Sequence, residues 1–174
     1  MISDREEAPA LDLARAEGVP VEVVPLAGYA DREEWNRALG DAIERYAPDL
    51  VVLAGFMKIL APETVGRFAG RMINTHPALL PAFTGAHAVR DALAHGVKIT
   101  GCTIHLVDVE VDAGPIVAQA AVAIEEGDTE GSLHERIKAV ERGLVVDTVR
   151  RLLKDGWTVE GRRVRCGTSE GKKP

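Results

Sequence analysis

The chain has 174 residues, of which 46% are hydrophobic and 28% charged, and its 27 acidic and 21 basic side chains give a net charge of -6. This size and balance predict one globular domain, and the negative charge argues against broad nucleic-acid binding. The only cysteines, Cys102 and Cys166, form no disulfide framework, and no apolar run approaches the roughly 20 residues of a spanning helix. We therefore expect a cytoplasmic protein with no leader and no membrane contact.

The first half of the chain alternates helical and strand-like segments. Apolar residues follow helical spacing over 10–18, and the run over 21–26 predicts a strand. Asp31 predicts the N-cap of a second helix, and the continuous apolar run over 50–55 is typical of a parallel strand buried on both faces. This alternation predicts an α/β fold with a mostly parallel central sheet flanked by helices.

The second half predicts three more helices, three more strands and a polar tail. The helices are expected over residues 62–68, 87–95 and 128–153, and the strands over 71–74, 98–107 and 114–124. The polar residues 165–174 are expected to fray. Neither a repeat nor a linker divides the chain, so we expect a single domain over 1–174.

The segment NTHPALLPAFTGAH, residues 74–87, places Asn74 and His76 at the carboxyl end of a predicted strand. Open α/β sheets bind ligands at that end. Asn can donate and accept hydrogen bonds and His can donate a proton near neutral pH, so the pair could stabilise an oxyanion. An Asx turn beside a partly buried histidine is the structural alternative, and the pair alone does not decide between them.

Asp112 lies between two long apolar runs, where Gly114 and Pro115 predict a turn. A carboxylate near an imidazole favours the protonated ring and can accept a proton from an attacking amine. A plain acidic hairpin is the alternative, because separation along the sequence does not establish that Asp112 meets His76.

Three other features are weaker functional signals. Four histidines fall within thirty residues, but their spacing fits no recognised zinc pattern, so we expect no metal: His76, His87, His95 and His105. The segment LAGFMKIL around Lys58 could line an apolar slot. Glu141, on the last long helix, is by default a solvated charge paired with nearby basic residues.

Four segments taken together resemble the phosphoribosylglycinamide formyltransferases, a family of folate-dependent enzymes of purine synthesis. The segments are VVLAGFMKIL, NTHPALLPAFTGAH, GCTIHLVDVEVDAGPIVAQ and LHERIKAVERGLV, in this order. The resemblance runs from the first residue to about Val164. The combination of Asn-x-His-Pro with Asp-x-Gly-Pro is specific to the formyltransferase superfamily.

This resemblance implies a Rossmann-like formyltransferase fold and a reaction between two small molecules. The amine of 5'-phosphoribosylglycinamide would attack the formyl carbon of the co-substrate 10-formyltetrahydrofolate, in a monomer or homodimer. Asn74 and His76 would stabilise the oxyanion, with His76 as the general acid, and Asp112 would keep His76 charged and relay the amine proton. Thr103 matches a hydroxyl position that orders a water.

The resemblance also implies binding residues for both substrates. Those for folate are Arg32, Met57, Lys58, Ile59, Leu60, Asn74, Asp108, Val109, Glu110, Val111 and Asp112, and those for the ribonucleotide are Lys138, Ala139, Val140 and Glu141. Arg32 would meet the glutamate tail of the folate, and Glu141 the reacting amine. Lys58 stands where many relatives have Arg, which weakens bidentate carboxylate contacts and spares backbone ones.

The start of the chain departs from the family. Relatives begin with a strand and a Gly-x-Gly-Ser-Asn loop whose backbone amides hold the substrate phosphate at a helix N-terminus. Residues 1–4 align with the end of the second strand, so we expect that about thirty residues, including a central strand, are absent. Because loss of a central strand would leave open sheet edges, we expect a misassigned start or a truncation; if the chain truly begins at Met1, we expect poor stability and weak ribonucleotide binding.

Three alternative functions remain open. Formyltetrahydrofolate hydrolases use the same Asn, His and Asp, but usually have a second His where Pro77 stands, and carry a regulatory domain. Methionyl-tRNA formyltransferases would show a Gly-Ser pair after the histidine and a basic tRNA-binding carboxyl domain. Ala78, the short tail and the net negative charge disfavour this assignment. A folate-binding protein without catalytic activity is the third alternative, since the phosphate loop has no counterpart.

Overall fold

The computed structural model describes residues 1–167, which fall into two compact units. The first unit comprises Met1–Pro48 and Leu60–Arg67, and the second begins with Asp49–Ile59 and resumes at Phe68. Within the described residues, no helix is both long and apolar enough to cross a bilayer. The single domain expected from the sequence stays a prediction.

The first unit contains β1 (Ile2–Ser3), α1 (Pro9–Ala16), β2 (Glu22–Val23), a 3₁₀ turn (Leu26–Gly28), α2 (Arg32–Glu44) and α3 (Pro62–Arg67). β1 and β2 pair in parallel. The predicted cap of α2 is confirmed, because the Asp31 carboxylate accepts a hydrogen bond of 2.8 Å from the Glu34 amide. The fully buried Trp35 then fastens α2 to the end of β2 by donating from Nε1 to the Val24 carbonyl.

The second unit contains β3 (Val51–Leu53), β4 (Met72–His76), α4 (Ala88–Ala94), β5 (Ile99–Leu106), β6 (Ile116–Ala123), α5 (Glu130–Asp155), β7 (Trp157–Glu160) and β8 (Arg163–Cys166). Its strands form a six-stranded sheet in the order β3-β4-β5-β6-β8-β7. The expected α/β class is confirmed. The parallel pairing expected from the alternation holds for β3–β4 and β6–β8, while β4–β5, β5–β6 and β7–β8 are antiparallel.

The two faces of the six-stranded sheet carry different kinds of side chain. On one face Ile73 and Ile104 are fully buried against Leu152 of α5. Because side chains alternate along a strand, their neighbours Asn74 and His105 project from the opposite face. The helix therefore covers the apolar face, and the polar side chains of Asn74 and His105 lie on the other face.

The long helix α5 begins at a hydrogen-bonded turn. Thr129 and Ser132 form a reciprocal capping box at the start of the helix expected over residues 128–153. The Arg136 guanidinium bonds both oxygens of Asp128, at 2.7 and 2.9 Å, and holds the pKa of that carboxyl well below its usual range.

Two expectations about the ends of the sheet are wrong. β3 was expected to be buried on both faces, but among residues 1–167 it pairs only with β4 and lies at the edge of the sheet, and Val52 is 37% exposed. The tail was expected to fray from residue 165, but Arg165 and Cys166 belong to β8 and pair with β7. The residues of that hairpin alternate between apolar and polar, so no continuous apolar run marks its strands in the sequence. Residues 168–174 lie outside the described part of the chain.

Gly101 of β5 leaves room for the loop that follows β4. A Cβ at this position would lie 2.0 Å from the Ala120 carbonyl oxygen and 2.8 Å from Cδ2 of Leu79. Any side chain there would therefore push the loop away from the sheet or separate β5 from β6.

We predict that Gly101→Ala lowers the free energy of unfolding by about 1–3 kcal/mol because of overpacking. Urea unfolding followed by circular dichroism measures the change. The matched control is Gly66→Ala in α3, where nothing lies within 4 Å of the added methyl group. Equal stability of Gly101→Ala and the unmodified protein would contradict the close packing.

Candidate active site

Asn74 and His76 both lie on β4 and face the same side of the sheet. The antiparallel register with β5 places Asn74 opposite His105 and His76 opposite Thr103. The sequence placed the end of the strand at residue 74, whereas pairing with β5 extends the strand through His76. The two predicted catalytic side chains are therefore held by a sheet and not by a flexible loop.

The His76 ring is buried between a carbonyl and a carboxylate. Its Nε2 lies 2.7 Å from the carbonyl oxygen of Phe83, and its Nδ1 lies 3.4 Å from Oδ2 of Asp112. A carbonyl oxygen only accepts, so Nε2 must carry a proton, and a carboxylate likewise accepts. Both ring nitrogens thus face acceptors, an arrangement that a doubly protonated imidazole satisfies fully.

Asp112 reaches His76 from the loop between β5 and β6, which confirms in the structure a proximity that the sequence could not establish. Its backbone has a φ of +56°, in the left-handed region that non-glycine residues rarely adopt. Its Oδ2 accepts a hydrogen bond of 2.7 Å from the Gly85 amide, and its side chain is only 9% exposed. Two loops therefore converge on this carboxylate.

His105 orients the amide of Asn74. Nδ1 of His105 lies 3.0 Å from the Leu106 carbonyl and therefore donates, so Nε2 is left to accept from Nδ2 of Asn74 at 3.3 Å. Burial lowers the pKa of His105 below its ordinary value, which favours this neutral form. One N–H of Asn74 is thus held in place, and its second N–H can serve a substrate oxygen.

Thr103 anchors the loop after β4 instead of ordering a water. Its buried hydroxyl donates to the Ala78 carbonyl at 2.6 Å and accepts from the Leu80 amide at 3.0 Å. Gln119 of β6 donates to both the Thr103 hydroxyl and the Leu80 carbonyl, each at 2.9 Å. Because this hydroxyl already has three partners, the expected water-ordering role is wrong.

The residues expected to line the folate slot lie at two places. Met57 and Ile59 follow β3 and are 76% and 62% exposed, whereas Leu60 is buried. Since Leu53 pairs in parallel with Asn74, the segment that follows β3 starts from the same end of the sheet as the candidate site.

The second place is the part of the loop between β5 and β6 that leads up to Asp112. Its two valines, Val109 and Val111, are 58% and 48% exposed, and Asp108 accepts a hydrogen bond from the Val109 amide. Exposed apolar side chains thus flank both sequence segments expected to meet the folate.

The predicted ribonucleotide-binding residues do not meet the trio of Asn74, His76 and Asp112. Lys138–Glu141 lie on α5, on the opposite side of the sheet from the trio. Burial raises the pKa of the Cys102 thiol to about 11, and the negative charge of the nearby Glu141 adds to this shift. Arg32 is the first residue of α2, in the first unit.

Four functional groups escaped the sequence analysis: the His105 ring, the Phe83 carbonyl, the Gly85 amide and Gln119. His105 was considered only as a zinc ligand, although the polar alternation of Thr103 and His105 within an apolar strand was a usable signal. The two backbone groups leave no such signal. Among residues 1–167, no cluster of three or more His, Cys, Asp or Glu could hold a metal ion.

Comparisons with known proteins agree with this geometry. The family model described as formyl transferase matches residues 1–149. Phosphoribosylglycinamide formyltransferase of Mycobacterium tuberculosis is 52% identical over 161 residues, which cover 92% of this chain and 75% of that relative. The Escherichia coli enzyme of the same name is 36% identical over 162 residues, or 93% of this chain and 74% of that one.

A solved structure gives the same result. The crystal structure of glycinamide ribonucleotide transformylase 1 from Symbiobacterium toebii matches with a TM-score of 0.92 and 43% identity, and the match covers 96% of this chain and 79% of that one. Both the sequence and the fold thus match over nearly the whole chain, and the chain belongs to the formyl transferase family.

Proposed function

We propose that this protein transfers the formyl group of 10-formyltetrahydrofolate to the amine of 5'-phosphoribosylglycinamide, a step of purine biosynthesis. The observation that carries the proposal is the convergence of Asn74, His76 and Asp112 on one side of the sheet. Relatives that bear the name phosphoribosylglycinamide formyltransferase support the choice of both reaction and acceptor.

The first task of the site is to stabilise the oxyanion that forms when the amine attacks the formyl carbon. Asn74 offers an N–H whose direction is set by His105, and His76 offers the proton on Nε2. That proton now bonds the Phe83 carbonyl, so a formyl oxygen that takes the place of this carbonyl would receive it. Donors oriented in advance act most strongly in such a buried site.

The second task is to move a proton from the attacking amine to the leaving nitrogen of the folate. Asp112 can accept the amine proton and pass it on, while His76 protonates the oxyanion and recovers its proton when the intermediate collapses. The new C–N bond then replaces the old one with no net gain or loss of protons. The Gly85 amide holds the carboxylate in place during these steps.

The apolar side chains that flank the site suit the flat ring system of a folate. Met57, Ile59, Val109 and Val111 are exposed hydrophobic residues on the two segments expected to meet it. Covering them with a ring buries apolar surface, which favours binding. The proposal assigns the remaining residues of these segments to folate binding as well, with their backbone groups as hydrogen-bonding partners: Lys58, Leu60, Asp108 and Glu110.

Charged residues elsewhere complete the proposal. We assign Arg32 to the glutamate tail of the folate, because a guanidinium binds carboxylates in pairs of hydrogen bonds. Lys138–Glu141 are assigned to the part of the ribonucleotide away from its amine, because they lie across the sheet from the trio, where the amine reacts; the expected pairing of Glu141 with that amine does not fit this position. Their place on α5 means that the ribonucleotide would extend from the trio around the end of the sheet.

We predict that His76→Ala, Asn74→Ala and Asp112→Asn each lower kcat for formyl transfer by about 10²–10³-fold, because each removes a group that acts in the transition state. Transfer to synthetic glycinamide ribonucleotide is measured with each variant. His134→Gln on α5 is the matched control and should keep the full rate. Near-normal rates in all three variants would contradict the assignment, and formate release that does not depend on the amine would indicate a hydrolase.

We predict that His105 is neutral at pH 7 with its proton on Nδ1, and that it titrates below about pH 6.5, the ordinary midpoint of a histidine. The ¹⁵N shifts of the imidazole rings measure both properties. Because the unfolded chain binds this proton more readily than the folded chain, the free energy of unfolding should fall as the pH drops below that midpoint. A proton on Nε2 at neutral pH would contradict the proposed orientation of Asn74.

We predict that the double substitution Met57→Ala and Ile59→Ala weakens folate binding by about tenfold, since it removes apolar surface worth more than 1 kcal/mol. Fluorescence titration with a folate analogue measures the dissociation constant. The control is Leu153→Ala, which shortens an exposed apolar residue of α5 and should leave binding unchanged. Equal affinity in the double variant and this control would remove Met57 and Ile59 from the proposed slot.

A further inference from the structure

The backbone around Asp112 has an unusual conformation that other contacts must maintain. Asp112 has a φ of +56°, and two residues later Gly114 packs directly on β5. A Cβ on Gly114 would lie 1.8 Å from the Leu106 carbonyl oxygen. Gly114 thus fixes the inner side of the loop against the sheet, while its outer side faces away from β5.

The β7–β8 hairpin reaches that outer side. Glu160 pairs with Arg163, so Gly161 and Arg162 form the two-residue turn at its tip. β8 lies next to β6 and pairs with it at Ile116, the first residue after the Asp112 loop. The sheet order therefore brings the tip of the hairpin beside this loop.

Arg162 makes the contact. Its Nη1 donates a hydrogen bond of 3.0 Å to the carbonyl oxygen of Ala113, the residue that follows Asp112. Arg162 also lines a cavity of about 250 Å³ together with Asp112, Ala113 and Thr84. The guanidinium is charged, which makes its bond to a carbonyl stronger than one from a neutral donor.

The hairpin is itself firmly anchored. Trp157, at its start, is 1% exposed and packs in the core with Ile73 and Ile104. The indole Nε1 donates to the Gly70 carbonyl at 2.7 Å. A rigid base lets a single side chain at the tip restrain the neighbouring loop.

We propose that Arg162 is a positioning residue for the reaction: it braces the Ala113 carbonyl and so keeps the Asp112 carboxylate against His76 and Gly85. The role of Asp112 in catalysis rests on the proposed function, but the brace itself does not. Arg162 acts through the backbone, because its hydrogen bond is to the Ala113 carbonyl and not to the Asp112 carboxylate.

The first test measures the brace without turnover. Hydrogen exchange of the Gly85 amide, which bonds Asp112, is followed by NMR in Arg162→Ala, with the Leu80 amide, bonded to Thr103, as internal reference. We expect exchange at Gly85 to accelerate about tenfold while exchange at Leu80 is unchanged, because only the Asp112 loop loses its restraint. Arg165→Ala, which removes a charge from the same hairpin, should leave both amides unaltered.

The second test separates positioning from general stability. In Arg162→Ala we expect kcat to fall about tenfold with KM changed less than twofold, and Arg162→Lys to recover part of the loss by keeping a donor. Exchange at Gly85 that is the same in Arg162→Ala and Arg165→Ala would overturn the proposal. If Gly85 responds as expected but Asp112→Asn transfers formyl groups normally, the brace stands and the proposed function of Asp112 fails.

Discussion

The antiparallel pairing of β4 with β5 is the constraint on which the candidate site depends. It sets Asn74 opposite His105 and His76 opposite Thr103, on the face that α5 leaves uncovered. A slip of β4 by one residue against β5 would turn Asn74 and His76 into the apolar core. The buried contacts of Ile73 and Ile104 on the other face oppose that slip, so the packing of the core determines the geometry of the polar face.

Within this frame, two histidines of the same face have different roles because their partners differ. His105 has a carbonyl on one side and the Asn74 amide on the other, so one nitrogen donates and the other accepts, and burial favours the neutral ring. His76 has acceptors at both nitrogens, the Phe83 carbonyl and Asp112. The same side chain thus orients a neighbour in one place and holds a transferable proton in the other.

How much could be predicted from the sequence depended on the kind of signal. Asp31 and Thr129 begin helices whose caps have a distinct chemistry, and both helices were predicted. The trio was identified through motifs, but its proximity comes from the left-handed backbone at Asp112, which local sequence does not encode. β8 was missed because its residues lack an apolar run, and the exposure of β3 depends on sheet order, a tertiary property.

Two of the groups that escaped prediction share a physical cause. The Phe83 carbonyl and the Gly85 amide belong to the backbone, which every residue possesses, so only the path of the loop makes them functional. That path is set at a distance: Thr103 and Gln119 fasten the loop to the sheet at Leu80, three residues before Phe83. The side chains that chemistry requires could therefore be recognised in the sequence, whereas the backbone groups that hold them became visible only once the strands were paired.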